Sequence, residues 1–166
     1  MRIGIECENI EDPTSRWGVG HITLNLIREY TRSPDLQHKF QLYLYFKRRI
    51  PHDDFLRHPA LHLRVVNPPW LSSFTIFYFI LLPLRAMRDR LTMMFFPAYM
   101  LPPLYLGRTL TMLTNDVHYE YTQGQSPWRY KLAYRLFSNW AARRSTKILA
   151  ISETSQHHIA RLFNIP

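Results

Sequence analysis

LTMLTNDVHY, residues 110–119, decides how this chain is read. It begins as an apolar, Thr-rich run and stops abruptly at Asn115, Asp116 and His118. Open α/β sheets assemble their sites from buried strands that deliver polar side chains at their carboxyl ends. Comparable ends follow other strand-like runs at Glu6, Pro97 and Ser152. We expect these ends to meet in one crevice.

Working outward, RIGIE (2–6) reads as a first strand. A polar loop, Gly18-Val19-Gly20 and an amphipathic helix to about Arg32 follow. Val19, Ile22, Leu26, Ile27 and Tyr30 form that helix's apolar stripe, and Ser33-Pro34-Asp35 ends it. FQLYLYF (40–46) and LHLRVV (61–66) are further strands, with one helical turn at 53–57 between them. Residues 71–90 predict a helix that is apolar on both faces, which is either deeply buried or touches something beyond its own domain. LTMMFF (91–96) ends at Pro97, and a Pro-rich loop containing Tyr99 leads to the strand at 108–114. A helix from Trp128 to about Arg144 follows, then TKILAI (146–151) and a last helix capped by Ser152, with Glu153 in its first turn. Strands separated by helices predict a parallel α/β sheet, and the common order 3-2-1-4-5-6 makes the first, fourth, fifth and sixth strands neighbours.

Composition narrows the class. A chain of 166 residues suits one domain with a real core. One cysteine, Cys7, forms no internal disulfide, excludes zinc sites built on Cys pairs and fits a reducing, cytoplasmic setting. At a strand end it reads as a small buried apolar residue. The net charge of +9 raises affinity for any polyanion without choosing among them. Arg2 leads straight into IGIE, so no secretory signal is expected. The dense apolar run 74–82 is far short of the ~20 residues that span a bilayer. With Arg85, Arg88 and Arg90 it resembles an interfacial element, and burial against the sheet or a partner domain is the equal alternative.

Asp116 and His118 supply an acceptor and a titratable group, with Asn115 beside them. The competing reading is a turn that satisfies its own backbone, and position favours a site. A metal needs more ligands than this segment offers, so neither a metal nor a resident cofactor is expected. Gly18 and Gly20 are read either as a phosphate-approach loop at a helix start or as a turn needing positive φ. As a dinucleotide fingerprint they are poor: Thr23 replaces the third glycine, and Lys47, not an acid, follows the second strand. His157 and His158 are adjacent on a helix and read as solvent or partial-core residues. The basic helix from Trp128 is a solvated face or a phosphate contact.

In their order along the chain, RIGIE with GVGHITLNLIREY, then FFPAYMLPPL, LTMLTNDVHY and TKILAISETSQHHIARLFNIP resemble the N-terminal half of glycosyltransferase family 4, the group 1 GT-B enzymes. The resemblance covers nearly the whole chain. It implies a Rossmann-like doubly wound, mostly parallel domain over 1–166 that binds the acceptor. A C-terminal domain outside this chain would hold the nucleotide-sugar donor with paired glutamates. The implied catalytic residues are Asp116 and His118, and the implied substrate-binding residues are Gly18, Gly20, Tyr99, Asn115 and Ser152. The family's usual His aligns with Asn115, which takes no proton near neutral pH. His118 is the candidate to replace it. The implied partners are a nucleotide-sugar donor, an acceptor glycan or lipid of the cell envelope, the second GT-B domain and an anionic membrane surface at its inner face. The alternatives are a stand-alone nucleotide- or phosphate-binding domain and a dinucleotide-dependent oxidoreductase domain, and nucleic acid is the least favoured partner.

Overall fold

The computed structural model describes residues 1–16, 18–114 and 127–165. Strands β1 (Arg2–Glu6), β2 (Gln41–Phe46), β3 (Leu61–Val65), β4 (Met93–Phe96), β5 (Thr109–Leu113) and β6 (Lys147–Ala150) form one parallel sheet. Their order is β3-β2-β1-β4-β5-β6, as the sequence predicts, and the class is Rossmann-like α/β. Parallel neighbours need crossovers, and helices supply them. α1 (Gly18–Arg32) and α2 (Pro34–Lys39) join β1 to β2, and α3 (Phe74–Ile76) and α4 (Leu82–Arg88) lie between β3 and β4. α5 (Trp128–Arg144) precedes β6, and α6 (Glu153–Phe163) follows it. No helix among the described residues is long and apolar enough to cross a membrane.

The chain forms two compact units, one of residues 1–95 with 102–107, the other of residues 96–101 with 108–166. In the first, β1 pairs with β2 on one side and β4 on the other. β2 is buried from Leu42 to Phe46, as a strand covered on both faces must be. α1 buries Gly20, Thr23, Leu24, Ile27 and Tyr30. The predicted stripe is therefore rotated: Leu26 is exposed, and Thr23 is buried, its hydroxyl satisfied by donating to the Val19 carbonyl at 2.9 Å. Ser33-Pro34-Asp35 both ends α1 and starts α2. The Ser33 hydroxyl accepts from Leu36 N–H, and Pro34 sits at the first helical position, where a missing N–H costs nothing.

α3 and α4 are joined by a π turn, Phe77–Leu81, in which Leu82 N–H bonds to the Phe77 carbonyl. The next residue, Pro83, has no N–H, and its ring would crowd the carbonyl four residues back. A wider turn relieves both problems without ending the helix. Phe77, Tyr78, Leu82 and Ala86 are buried, while Ile76, Ile80, Leu84 and Met87 are exposed. The helix is thus apolar on two faces, only one of which is covered.

Past α4, Asp89 gathers four elements of this unit. Its Oδ2 accepts from the Tyr45 hydroxyl at 2.8 Å and lies 3.4 Å and 3.6 Å from Arg64 Nε and Arg85 Nε. Its carbonyl accepts from Arg2 at 3.1 Å. Burial, together with the Asp89 carboxylate, pushes the Tyr45 phenol far above its ordinary range. Gly4 makes room for the Tyr45 ring, since a Cβ there would lie 3.1 Å from Tyr45 Cε2 and 2.5 Å from Leu91 Cδ1.

In the second unit, β5 and β6 are stitched by side chains as well as by the ladder. Thr109 N–H donates to Thr146 Oγ1 at 3.0 Å, and Thr146 N–H donates to Thr109 Oγ1 at 3.1 Å. Ser145 and Thr111 hydroxyls meet at 2.6 Å. Leu113, Ala142, Ile159 and Phe163 form the core between strands and helices.

Replacing Asp89 with alanine strands a buried hydroxyl and two guanidinium groups, so we expect a loss of about 2–3 kcal/mol in urea unfolding. Tyr45→Phe should cost about 1 kcal/mol, and the double variant should cost less than the sum because both act on one network.

Candidate functional site

In the first unit, the carboxyl ends of β1 and β2 lie side by side, with Glu6 opposite Tyr45. The chains leaving them carry Glu8, Asn9, Glu11 and Asp12 on one side and Lys47, Arg48 and Arg49 on the other. Together these line a groove of about 740 Å³. Glu11 fixes the groove's shape. Its Oε1 accepts the backbone N–H groups of Lys47 and Arg48, the latter at 2.9 Å. Lys47 Nζ sits 3.5 Å from Glu8 Oε1 and 5.2 Å from the centre of the Phe74 ring. Arg16 grips the Asp53 carboxylate with both terminal nitrogens, at 3.1 Å and 2.5 Å, and its Nε donates to the Ile10 carbonyl at 2.9 Å. These contacts tie the loop after β1 to the loop after β2.

Glu6 lies behind this groove, with 3 % of its surface exposed. Its Oε1 accepts the Glu8 N–H at 2.7 Å. Burial dominates its titration and pushes the carboxyl up to about 8. The Glu8 N–H opposes that rise, nearby Glu8 and Glu11 add to it, and Lys47 draws it back. Glu11 is also raised, first by burial, against the two N–H groups it accepts. Cys7 is fully buried, its thiol is held well above its usual range by desolvation, and its Sγ lies 3.5 Å from the Ile5 carbonyl. That makes it the packed apolar residue the sequence suggests. Asn9 Nδ2 reaches Thr23 Oγ1 at 3.5 Å, and Asn9 Oδ1 is buried without a hydrogen-bond partner among the described residues. Chemically the groove offers three carboxylates and an amide facing three cationic side chains, while the raised Glu6 carboxyl and Asn9 Oδ1 are buried away from it.

The positions named from sequence divide as follows. Asn115, Asp116 and His118 lie outside the described residues. Gly18 and Gly20 form the first turn of α1, and no described glycine has a positive φ, so the left-handed-turn reading is overturned. Gly20 is buried, and a Cβ there would stand 3.0 Å from the Asn9 carbonyl and 3.4 Å from Arg16 Cβ. Its smallness admits the loop after β1. Gly18 is exposed and has open space around it. In the second unit, the Tyr99 ring packs at a tilt of 39° against Tyr134, with ring centres 4.1 Å apart, and lies against the Leu113–Phe163 core. Ser152 caps α6, accepting Ser155 N–H at 3.1 Å, and lies beside a groove of about 460 Å³ along β6 and α6. Ser155 itself is fully buried, and its hydroxyl has no partner among the described residues. His157 is exposed and His158 half-buried.

Sequence reasoning passed over Glu11 and Lys47 as site residues. The available signal was an acidic triplet at Glu6, Glu8 and Glu11 after one strand and Lys47-Arg48-Arg49 after the next, which a parallel pairing must juxtapose. Among the described residues no group of three or more His, Cys, Asp or Glu is placed to hold a metal ion. No family model and no curated protein matches the chain.

Two predictions follow from this geometry. Gly20→Ala should cost about 1–2 kcal/mol because a backbone carbonyl blocks the new methyl group, while Gly18→Ala should be neutral or slightly stabilising. Glu6 should also make stability fall as pH rises. Below about 4.5 both states hold the proton; above it only the unfolded chain releases it, until the folded carboxyl ionises near 8. Glu6→Gln should therefore gain on the parent between those limits, reaching on the order of 4 kcal/mol at the upper one, as read from urea midpoints across pH.

Proposed function

We propose that this chain is the N-terminal, acceptor-side domain of a GT-B glycosyltransferase of the family 4 type. Together with a donor-side domain it would move a sugar from a nucleotide diphosphate to an acceptor hydroxyl, in the synthesis of a cell-envelope glycan or glycolipid. A Rossmann-like sheet alone serves many chemistries, so the class of fold does not carry this reading. What carries it is the placement of the motif series. RIGIE lies on β1, FFPAY runs off the end of β4, LTML lies on β5, and ISETS turns from β6 into α6 with Ser152 as its cap. The order is the one the resemblance requires. A dinucleotide reading is less well supported. Gly20 faces the Asn9 carbonyl instead of open space, and Lys47 stands where a ribose-binding acid belongs.

In this reading Asp116 accepts a hydrogen bond from the acceptor, and His118 holds or moves its proton, while Asn115 can only hydrogen-bond. The leaving diphosphate would be stabilised by cationic side chains and a helix N-terminus, most of them supplied by the donor-side domain. The polar groove at the ends of β1 and β2, lined by carboxylate, amide and cationic side chains, suits a hydroxyl-rich molecule. The working location is the inner face of a membrane, where an anionic surface would meet a strongly basic protein.

Residues 1–166 alone should show no transfer from a labelled nucleotide sugar. Joined to a donor-side domain with paired glutamates, the Asp116→Asn variant should lose at least about 100-fold in kcat with KM little changed, and His118→Ala should lose activity most strongly above about pH 7, where a neutral imidazole can take the acceptor's proton. Turnover by the isolated chain, or full activity in both variants, would reject the assignment.

A further inference from the structure

The outer face of α5 is unusual for a surface left in water. Trp128, Leu132, Leu136 and Trp140 follow one another at intervals of four residues and so form one continuous ridge. Their exposures are 69, 49, 61 and 40 %. The helix buries the opposite side, through Ser138, Ala141 and Ala142. Arg129, Arg135 and Arg143 are exposed along the ridge, and the helix contains no acid. Arg129 lies over the Trp128 ring at 5.6 Å, so charge and aromatic surface are interleaved and not segregated.

We propose that this face of α5 docks on an anionic lipid bilayer. The inference deepens the envelope-glycolipid reading, and rests on it for the purpose of docking, though not for its geometry. Exposed aliphatic and indole side chains gain by entering the boundary between headgroups and acyl chains, and indole rings favour that depth. Guanidinium groups on the same face reach the lipid phosphates while their stems cover the apolar ridge. Charge complementarity selects this occupant over the others. A second copy of the chain, meeting it in a two-fold contact, would bring Arg129, Arg135 and Arg143 against their own counterparts. Nucleic acid would satisfy the arginines and the indoles, but Leu132 and Leu136 have no face on which a base can stack.

The test uses the purified chain with vesicles of phosphatidylcholine alone or with about one third phosphatidylglycerol. Co-sedimentation should show binding at least about tenfold tighter to the anionic vesicles, weakened but not abolished by salt. Indole fluorescence should shift to the blue and be quenched by lipids brominated on the acyl chain, and both signals should fall in Trp128→Phe. Leu136→Ser and the pair Arg129→Gln with Arg143→Gln should each lower affinity about tenfold. Circular dichroism and urea midpoints should stay unchanged, since these side chains are exposed.

Equal affinity for both vesicle types, or binding that salt removes entirely and Leu136→Ser leaves intact, would overturn the proposal. So would loss of binding through Leu84→Ser, which alters the exposed ridge of α4 instead. Tighter binding to duplex DNA, displacing vesicles, would assign the face to nucleic acid. A concentration-dependent dimer that Leu136→Ser abolishes would assign it to a second copy. No donor or acceptor sugar enters these measurements, so their failure leaves the transferase reading standing, and failed transfer leaves the docking result intact.

Discussion

Parallel strand pairing is the constraint on which everything else in this chain depends. A parallel ladder cannot be closed by a tight turn, so each strand must be left and re-entered through a crossover. In the first unit that places β1 between β2 and β4, all running the same way, and brings the loops leaving β1 and β2 to one edge. Backbone amides that have run out of ladder partners collect there, and side chains must satisfy them. Glu11 does so for Lys47 and Arg48, and Glu6 does so for Glu8. The polar groove is therefore a consequence of ending two parallel strands together, before any question of substrate arises.

Glu6 shows how such an edge acquires chemistry. A carboxyl with one backbone donor and, among the described residues, no ion pair remains largely uncompensated when buried. Desolvation outweighs the single hydrogen bond, and the group keeps its proton to about neutral pH. Asp89 shows the opposite solution within the same unit, with a phenol and two guanidinium groups around one carboxylate. The satisfied carboxylate anchors elements. The under-compensated one is the group whose state changes in the physiological range, which is why it is the more informative neighbour of a groove.

The sequence made the strands, their order and the capping of α6 legible because these depend on local pattern: alternating or continuous apolar runs, and Ser152 followed by Glu153. Features set by tertiary fit escaped it. Leu26 has the right spacing for the α1 stripe, but Thr23 takes the buried place, its hydroxyl satisfied by bonding back to Val19. Gly18 and Gly20 look alike in sequence, yet only one is crowded by a carbonyl from a loop eleven residues upstream. Tyr99 reads as a site residue at the end of a strand and is also a packing partner of Tyr134. Pro83 falls inside the predicted 71–90 helix and is absorbed by a π turn. For Gly20 and Tyr99 the deciding contact comes from another element, which no short window contains. The groove residues Glu11 and Lys47 escaped for the same reason, since only the register between β1 and β2 makes them neighbours.

The charge distribution on α5 argues in the same direction as its apolar ridge. A helix start carries partial positive charge, and acids there are favourable while cations are not, by a few tenths of a kcal/mol each at an exposed site. α5 opens with Pro127, which offers no side-chain cap, then carries Arg129 and Lys131 near its start with no acid in the first turn. α6, by comparison, opens with a serine cap and Glu153. Stability within the fold alone would favour the second arrangement in both helices. Cations at the wrong end of a helix, beside exposed tryptophan and leucine, are disfavoured in water on two separate counts. Both penalties are relieved by one environment, an apolar boundary faced with negative charge.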